Sequence, residues 1–208
     1  MEQIRATRAE LLAKKKQIAL ARQSRDLLYE KRNALMKEFM RIAEQVVHGS
    51  DELERSVGES VVALAVAEAL DGPEAVRSAA FAARGHVTLE VTGGNIMGVS
   101  VPEIEYRGAA RGLLERGYSL PGVSTRVDAV AEAFETQLDL IVGLATSEMR
   151  LRRLAEEIGR TTRRVNALDN ILVPRLEGER NVIEMVLAER EREDLFRLKR
   201  VKMRLTGT

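Results

Sequence analysis

Apolar residues recur every seven positions at both ends of this chain, and no proline falls before Pro73. That pattern confines the ends to long amphipathic helices whose stripe must be buried against another helix. In the first stretch Ile4, Leu11, Ile18, Phe39 and Val46 lie on one series, and Ala21, Leu28, Leu35 and Ile42 on the series three residues later. Lys14, Arg25 and Arg32 interrupt the seam; polar groups there lower stability but fix register. A helix from about residue 3 to about residue 48, at ~1.5 Å per residue, would be roughly 65–70 Å long. It is expected to continue past a joint near "HGSD", until Gly72–Pro73 ends it.

The last stretch repeats the pattern. Thr125 with Asp128 reads as a capping box after Pro121–Gly122. Val127, Phe134, Ile141, Ala155, Leu176 and Ile183 form one series; Val130, Leu144, Leu151, Ile158, Val165, Leu172 and Val186 form the other. Unbroken from about 125 to about 203, this helix would be on the order of 115 Å long. The simplest partner for each stripe is the other end of the chain, packed antiparallel, with Leu11 opposite the 190s. Pro174 removes one helix hydrogen bond and is expected to bend the helix. Thr161, Thr162 and Asn166 place small or polar groups near the seam.

The middle differs. "PEAVRSAAFAARG" reads as a short helix. Val87, Leu89 and Val91 alternate with polar residues, Gly93–Gly94 is a turn signal, and "NIMGVSV" supplies a second strand that Pro102 stops. The prediction is a β-hairpin, Val87–Val91 with Ile96–Val101, followed by a glycine-rich loop. The expected fold is mainly α, a long antiparallel two-helix coiled coil with a central short helix and hairpin (about 86–102). The segments are 1–71, 72–123 and 124–208.

Charge is divided in the same way. Residues 1–41 and 150–208 hold 26 basic and 15 acidic residues, against 7 and 17 in residues 42–149. The basic ends are mixed with Glu and Asp, aromatics are only 3%, and no nucleic-acid module appears, so nucleic acid is not the expected partner. Cysteine is absent, and His48 and His86 lie on different elements, so neither thiol chemistry nor metal-ligand spacing is present. "GGN" at 93–95 lacks the Lys and Ser/Thr of a phosphate-binding loop. Glu156–Glu157 beside Arg152, Arg153 and Arg160 reads as solvated ion pairs. No catalytic, cofactor or metal residues are assigned. No apolar run approaches the roughly 18 residues of a membrane span, and no signal peptide opens the chain.

Three blocks carry a family likeness: "ATRAELLAKKKQIALARQSRDLLYEKRNALMKEF", "NIMGVSVP", and "LRRLAEEIGRTTRRVNALDNILVPRLEGERNVIEMVLAEREREDLFRLKRVK". They resemble, in order, the N-terminal helix, the second hairpin strand and the C-terminal helix of the D subunit of the V-type/A-type rotary ATPases. Ala6, where a proline is usual, and Gly178, after Pro174, depart from the family pattern. The resemblance implies a central rotor shaft that is itself non-catalytic. It would transmit torque between ATP hydrolysis or synthesis in a hexamer of A and B subunits and ion translocation by the membrane ring. Its implied partners are those A and B subunits, the small F subunit on its side, and the funnel-shaped C or d subunit on the ring. The implied location is cytoplasmic and peripheral to the membrane. On this reading Lys14, Lys15, Arg22, Arg25, Arg190, Arg197, Lys199 and Arg200 are expected to meet the hexamer. Arg163, Arg164 and Asn166 are expected to meet a lower-shaft partner. The hairpin residues Val87, Leu89, Val91, Ile96, Met97, Val99 and Val101 are expected to tune the ATPase rate. The competing reading is a coiled-coil scaffold or tether bridging two proteins.

Overall fold

The computed structural model describes residues 6–83, 88–106, 108–112, 115–118 and 123–206. In order these form helix α1 (Arg8–Asp71), helix α2 (Pro73–Ala82), strands β1 (Leu89–Ile96) and β2 (Val99–Tyr106), helix α3 (Thr125–Ala167), a π-helical turn (Leu168–Leu172) and helix α4 (Val173–Thr206). The fold is mainly helical, with long N- and C-terminal helices packed together and one antiparallel hairpin, as expected. The chain divides into two compact units, Met1–Ala34 with Ile158–Thr208, and Leu35–Glu157.

Helix α1 starts at a cap, where Thr7 Oγ1 accepts the Glu10 N–H at 3.2 Å. It runs through "HGSD" without the predicted joint. Gly49 lies on the covered face, where an added Cβ would sit 3.4 Å from Leu144 Cδ1, so its small size serves helix approach rather than a break. The heptad reading is met closely: Ile18, Ala21, Leu35 and Ile42 are buried, and Leu11, Leu28, Phe39 and Val46 are half-buried.

In the unit Leu35–Glu157, α2 folds back so that Val76 and Ala79 join Ala67, Val127 and Val130 in one apolar cluster. The cap of α3 is Ser124 rather than the predicted Thr125: its Oγ accepts the Arg126 N–H at 3.2 Å and donates to Asp71 Oδ2. Asp128 is instead occupied from the side, by Tyr118 and Arg116.

The hairpin register differs from the prediction. Ile96 pairs with Val99 and Leu89 with Tyr106, so Gly93–Gly94 lie inside β1 and the turn is Met97–Gly98. A two-residue hairpin turn of this hand needs positive φ at both central positions. Met97 and Gly98 have φ of 51° and 82°, and Asn95 Oδ1 accepts the Gly98 N–H at 2.8 Å. Pro102 does not stop the pairing; it sits opposite Gly93, which a two-stranded sheet permits because both strands are edges. The corrected register turns Val99 and Val101 inward, whereas Leu89 and Val91 are exposed. Val87 and His86 lie outside the described residues.

Candidate functional site

The candidate site is a surface, built on the pairing of α1 with the C-terminal helices. In the unit containing both termini, α1 carries Arg8, Lys15 and Arg22, one residue beyond seam positions and seven apart. They meet Glu191, Glu184 and Glu177 across the helix pair, at 2.8 Å and 2.9 Å for the first two. Charges flanking an apolar seam in this way set orientation and register. Lys14 and Arg25 occupy the seam itself and reach Glu179 at 2.7 Å and Asp169 at 3.0 Å. The Lys14 ammonium, then the Arg175 guanidinium, holds Glu179 below the usual carboxylate range; Lys15 does the same for Glu184. The third seam cation, Arg32, places its guanidinium carbon 4.4 Å from the centre of the Tyr29 ring.

This register seats Leu11 in a crevice with Leu187, Ala188 and Glu191, at the edge of the predicted 190s. The buried stripe of the C-terminal helices also departs from the predicted series. Below the π-helical turn the covered positions are Leu154, Ile158, Thr161 and Val165; above it they are Val173, Leu176 and Ile183. The Val173 N–H donates to the Leu168 carbonyl, five residues back. One extra residue is thus absorbed and the stripe moves on by one. Leu172, predicted to be buried, is therefore 40% exposed, and Val173 takes its place at 6%. Ala155 is also exposed where burial was predicted, because Leu154 lies on the covered face and fills it with a larger side chain. Phe134 and Ile141 are exposed as well, since a straight helix drifts off a strict seven-residue series.

The predicted contact residues separate into two groups. Lys14, Lys15, Arg22 and Arg25 are engaged with carboxylates of the same chain. Arg190 donates to the Ala6 carbonyl at 3.1 Å, and Arg197 lies 3.8 Å from Glu193 and 3.9 Å from Asp194. Lys199 and Arg200 are exposed, on a stretch from Ala188 to Leu205 in which every residue is exposed. That stretch also displays Leu195, Phe196, Leu198, Val201, Met203 and Leu205. Arg163, Arg164 and Asn166 are exposed, while Thr161, two residues before Arg163, and Val165, between Arg164 and Asn166, are buried.

The other unit carries a second exposed apolar face, formed on α1 by Val61, Val62, Val66 and Leu70. It also contains a feature that reads in sequence only as a glycine-rich loop. After β2 the chain is strapped to an acidic row on α3. Ala109 N–H donates to Asp139 Oδ1 at 2.8 Å, Arg111 N–H to Glu135 Oε2 at 3.3 Å, and Tyr118 Oη to Asp128 Oδ1 at 2.6 Å. Arg116, with its side chain only 7% exposed, reaches Glu135 at 2.9 Å and Asp128 at 3.4 Å. The bond to Glu135 raises the Arg116 pKa, and burial followed by the Asp139 carboxylate pushes the Tyr106 phenol up to about 12. The signal in the sequence was the spacing of Asp128, Glu135 and Asp139, which puts three carboxylates on one helix face. The hairpin is tied down by Glu103, 2.7 Å from Arg150 on α3. Among the described residues no group of three His, Cys, Asp or Glu side chains could hold a metal ion, and no helix is long and apolar enough to cross a membrane.

A family model for the D subunit of ATP synthase matches residues 10–203. The chain belongs to this family. Its relatives include the D subunit of the A-type ATP synthase of Methanosarcina mazei, 39% identical over 204 residues, 98% of each chain. The D subunit of the A-type enzyme of Thermococcus gammatolerans is 44% identical over 199 residues, covering 96% of this chain and 93% of the relative. That of Pyrococcus furiosus is 41% identical with the same coverage. The family match spans both helical arms and the hairpin.

Proposed function

We propose that this chain is the central rotor shaft of an A-type ATP synthase, passing torque between the A/B hexamer and the ring that moves ions. The observation that carries the reading is the family match over residues 10–203, laid on a helix pair locked antiparallel by the Arg8–Glu191, Lys15–Glu184 and Arg22–Glu177 ladder. A shaft must resist twisting. Turning α1 against α4 would break both the seam packing and the ladder. The shaft must also present different faces to the hexamer, because a shaft angle biases the catalytic sites only through unequal affinity for their states, and that bias is reciprocal.

The chain's part in this scheme is mechanical; the nucleotide sites belong to the hexamer. The exposed arm Ala188–Leu205, with Arg190, Arg197, Lys199 and Arg200, is the hexamer-facing element. Contacts made by exposed charges, each worth about 0–1 kcal/mol, can be remade at every step without trapping one angle. Arg163, Arg164 and Asn166 are offered to the F subunit, the Val61–Leu70 face to the funnel-shaped C subunit, and the hairpin to tuning of the hydrolysis rate. This reading puts the chain in the cytoplasmic, peripheral sector of the complex. Co-purification tests the assignment. The chain should recover A, B and F subunits and hydrolyse no ATP alone; recovery without A and B, or hydrolysis by the isolated chain, would reject it.

A further inference from the structure

The π-helical turn sits where the sequence can satisfy two different seams. With the extra residue in place, α4 covers Val173, Leu176, Ile183 and the half-buried Leu187. If Leu168–Leu172 tightened to α-helix, the seven-residue series that runs through Ile158 and Val165 would continue through Leu172 and Val186, with Val182 four residues before the latter. Apolar side chains are thus available one residue earlier at Leu172, Val182 and Val186, while Arg175 would take the place of Leu176, its stem along the seam and its head in water. Three features select the observed phase. Pro174 has no N–H to give the Asn170 carbonyl, and its ring presses on that carbonyl in an α-helix. Arg25 holds Asp169, a residue of the turn, at 3.0 Å. The ladder pairs Glu177, Glu184 and Glu191 with cations on α1; a shift of one residue would bring Leu176, Ile183 and Arg190 into those places.

We infer that Leu168–Leu172 is a register switch: the α4 arm pairs with α1 through Val173 in its ground state and through Leu172 in a second state, turned by about 100° on its own axis. The device belongs to this helix pair and stands apart from the shaft reading.

The chain has no native cysteine, so disulfide trapping reads the two states directly. Three full-length variants are compared, each carrying Ala21→Cys with Val173→Cys, Leu172→Cys or Ile171→Cys; Ala21 packs in one cluster with Val173. Circular dichroism first establishes that each is as helical as the parent. The 21–173 pair should oxidise fastest, the 21–172 pair more slowly, and the 21–171 pair slowest. Adding Pro174→Ala should raise the 21–172 rate on the order of tenfold by removing the proline penalty in the α-helical phase. Molar salt, which screens the ladder, should raise it too. A 21–172 rate equal to the 21–171 rate under all conditions overturns the switch. So does equal acceleration of all three pairs, which would signal fraying.

Discussion

Lys14 lies 2.7 Å from Glu179 within the seam between α1 and α4, and both side chains are about four-fifths covered. A charge pair in that position trades apolar burial for register, because any slip strands an ion in a half-dry groove. Lys14→Met should therefore keep the helices paired while weakening their phase. Lys14→Ala should lower stability by about 1–2 kcal/mol, seen as a lower urea midpoint.

The same pair sets an acid limit. Glu179 and Glu184 are held below the 4.5 of a free glutamate by cations across the seam. For a carboxylate with a depressed folded-state pKa, the unfolded chain takes up protons first. The added stability is then complete above about pH 4.5 and disappears as pH falls through the lower folded-state values. Thermal unfolding should be flat from pH 7 to about pH 5 and fall steeply below; Glu179→Gln with Glu184→Gln should flatten that fall.

Arg116 is a covered electrostatic anchor outside the seam, reaching both Glu135 and Asp128. Removing it leaves Glu135 and Asp128 facing each other around a covered site, so Arg116→Ala should cost about 3–5 kcal/mol and speed amide exchange at Ala109, Arg111 and Tyr118. Arg116→Lys should recover little, since an ammonium cannot reproduce the two guanidinium bonds to Glu135.

Two glycines should respond oppositely to alanine. Gly117 has φ +83°, and an added Cβ would lie 2.7 Å from the Ala82 carbonyl oxygen, so Gly117→Ala should destabilise by about 1–3 kcal/mol. Gly178 lies within α4 with nothing within 4 Å of the added atom, so Gly178→Ala should stabilise by up to about 1 kcal/mol. Chemical denaturation of the two variants decides both.

Leu172 and Val173 give a direct check of the shifted stripe. Val173→Ala should cost about 1–3 kcal/mol and Leu172→Ala well under 1 kcal/mol, the reverse of what an unbroken heptad predicts. Equal costs would contradict the one-residue displacement.

The helical arms were readable because one physical requirement, burying a stripe, repeats along them and leaves its period in the sequence. Ile18, Ala21, Leu35 and Ile42 fell where the series placed them. Two kinds of detail escaped. Pro174 marks a disturbance, but periodicity alone cannot distinguish a bend from an inserted residue, so the unbroken series points to Leu172 where Val173 is buried. The hairpin failed for a related reason. Gly93–Gly94 is the stronger turn signal locally, yet the alternative Met97–Gly98 turn, held by Asn95, lets Val99 and Val101 bury together. The Arg116 anchor joins a loop to a helix: the row of Asp128, Glu135 and Asp139 is legible from spacing, but no local pattern says which cation meets it. Of the expected contact residues, Lys14, Lys15, Arg22 and Arg25 look the same in sequence as Arg197 or Lys199. Only the facing carboxylates on the C-terminal side of the pair separate them.

Single-molecule observation of a bead fixed to the Leu35–Glu157 unit, in a complex reconstituted with the A/B hexamer, tests the shaft role most directly. The account predicts stepwise rotation of the bead in one direction, driven by ATP. A hexamer that hydrolyses ATP normally while the bead on this chain stays still would contradict it.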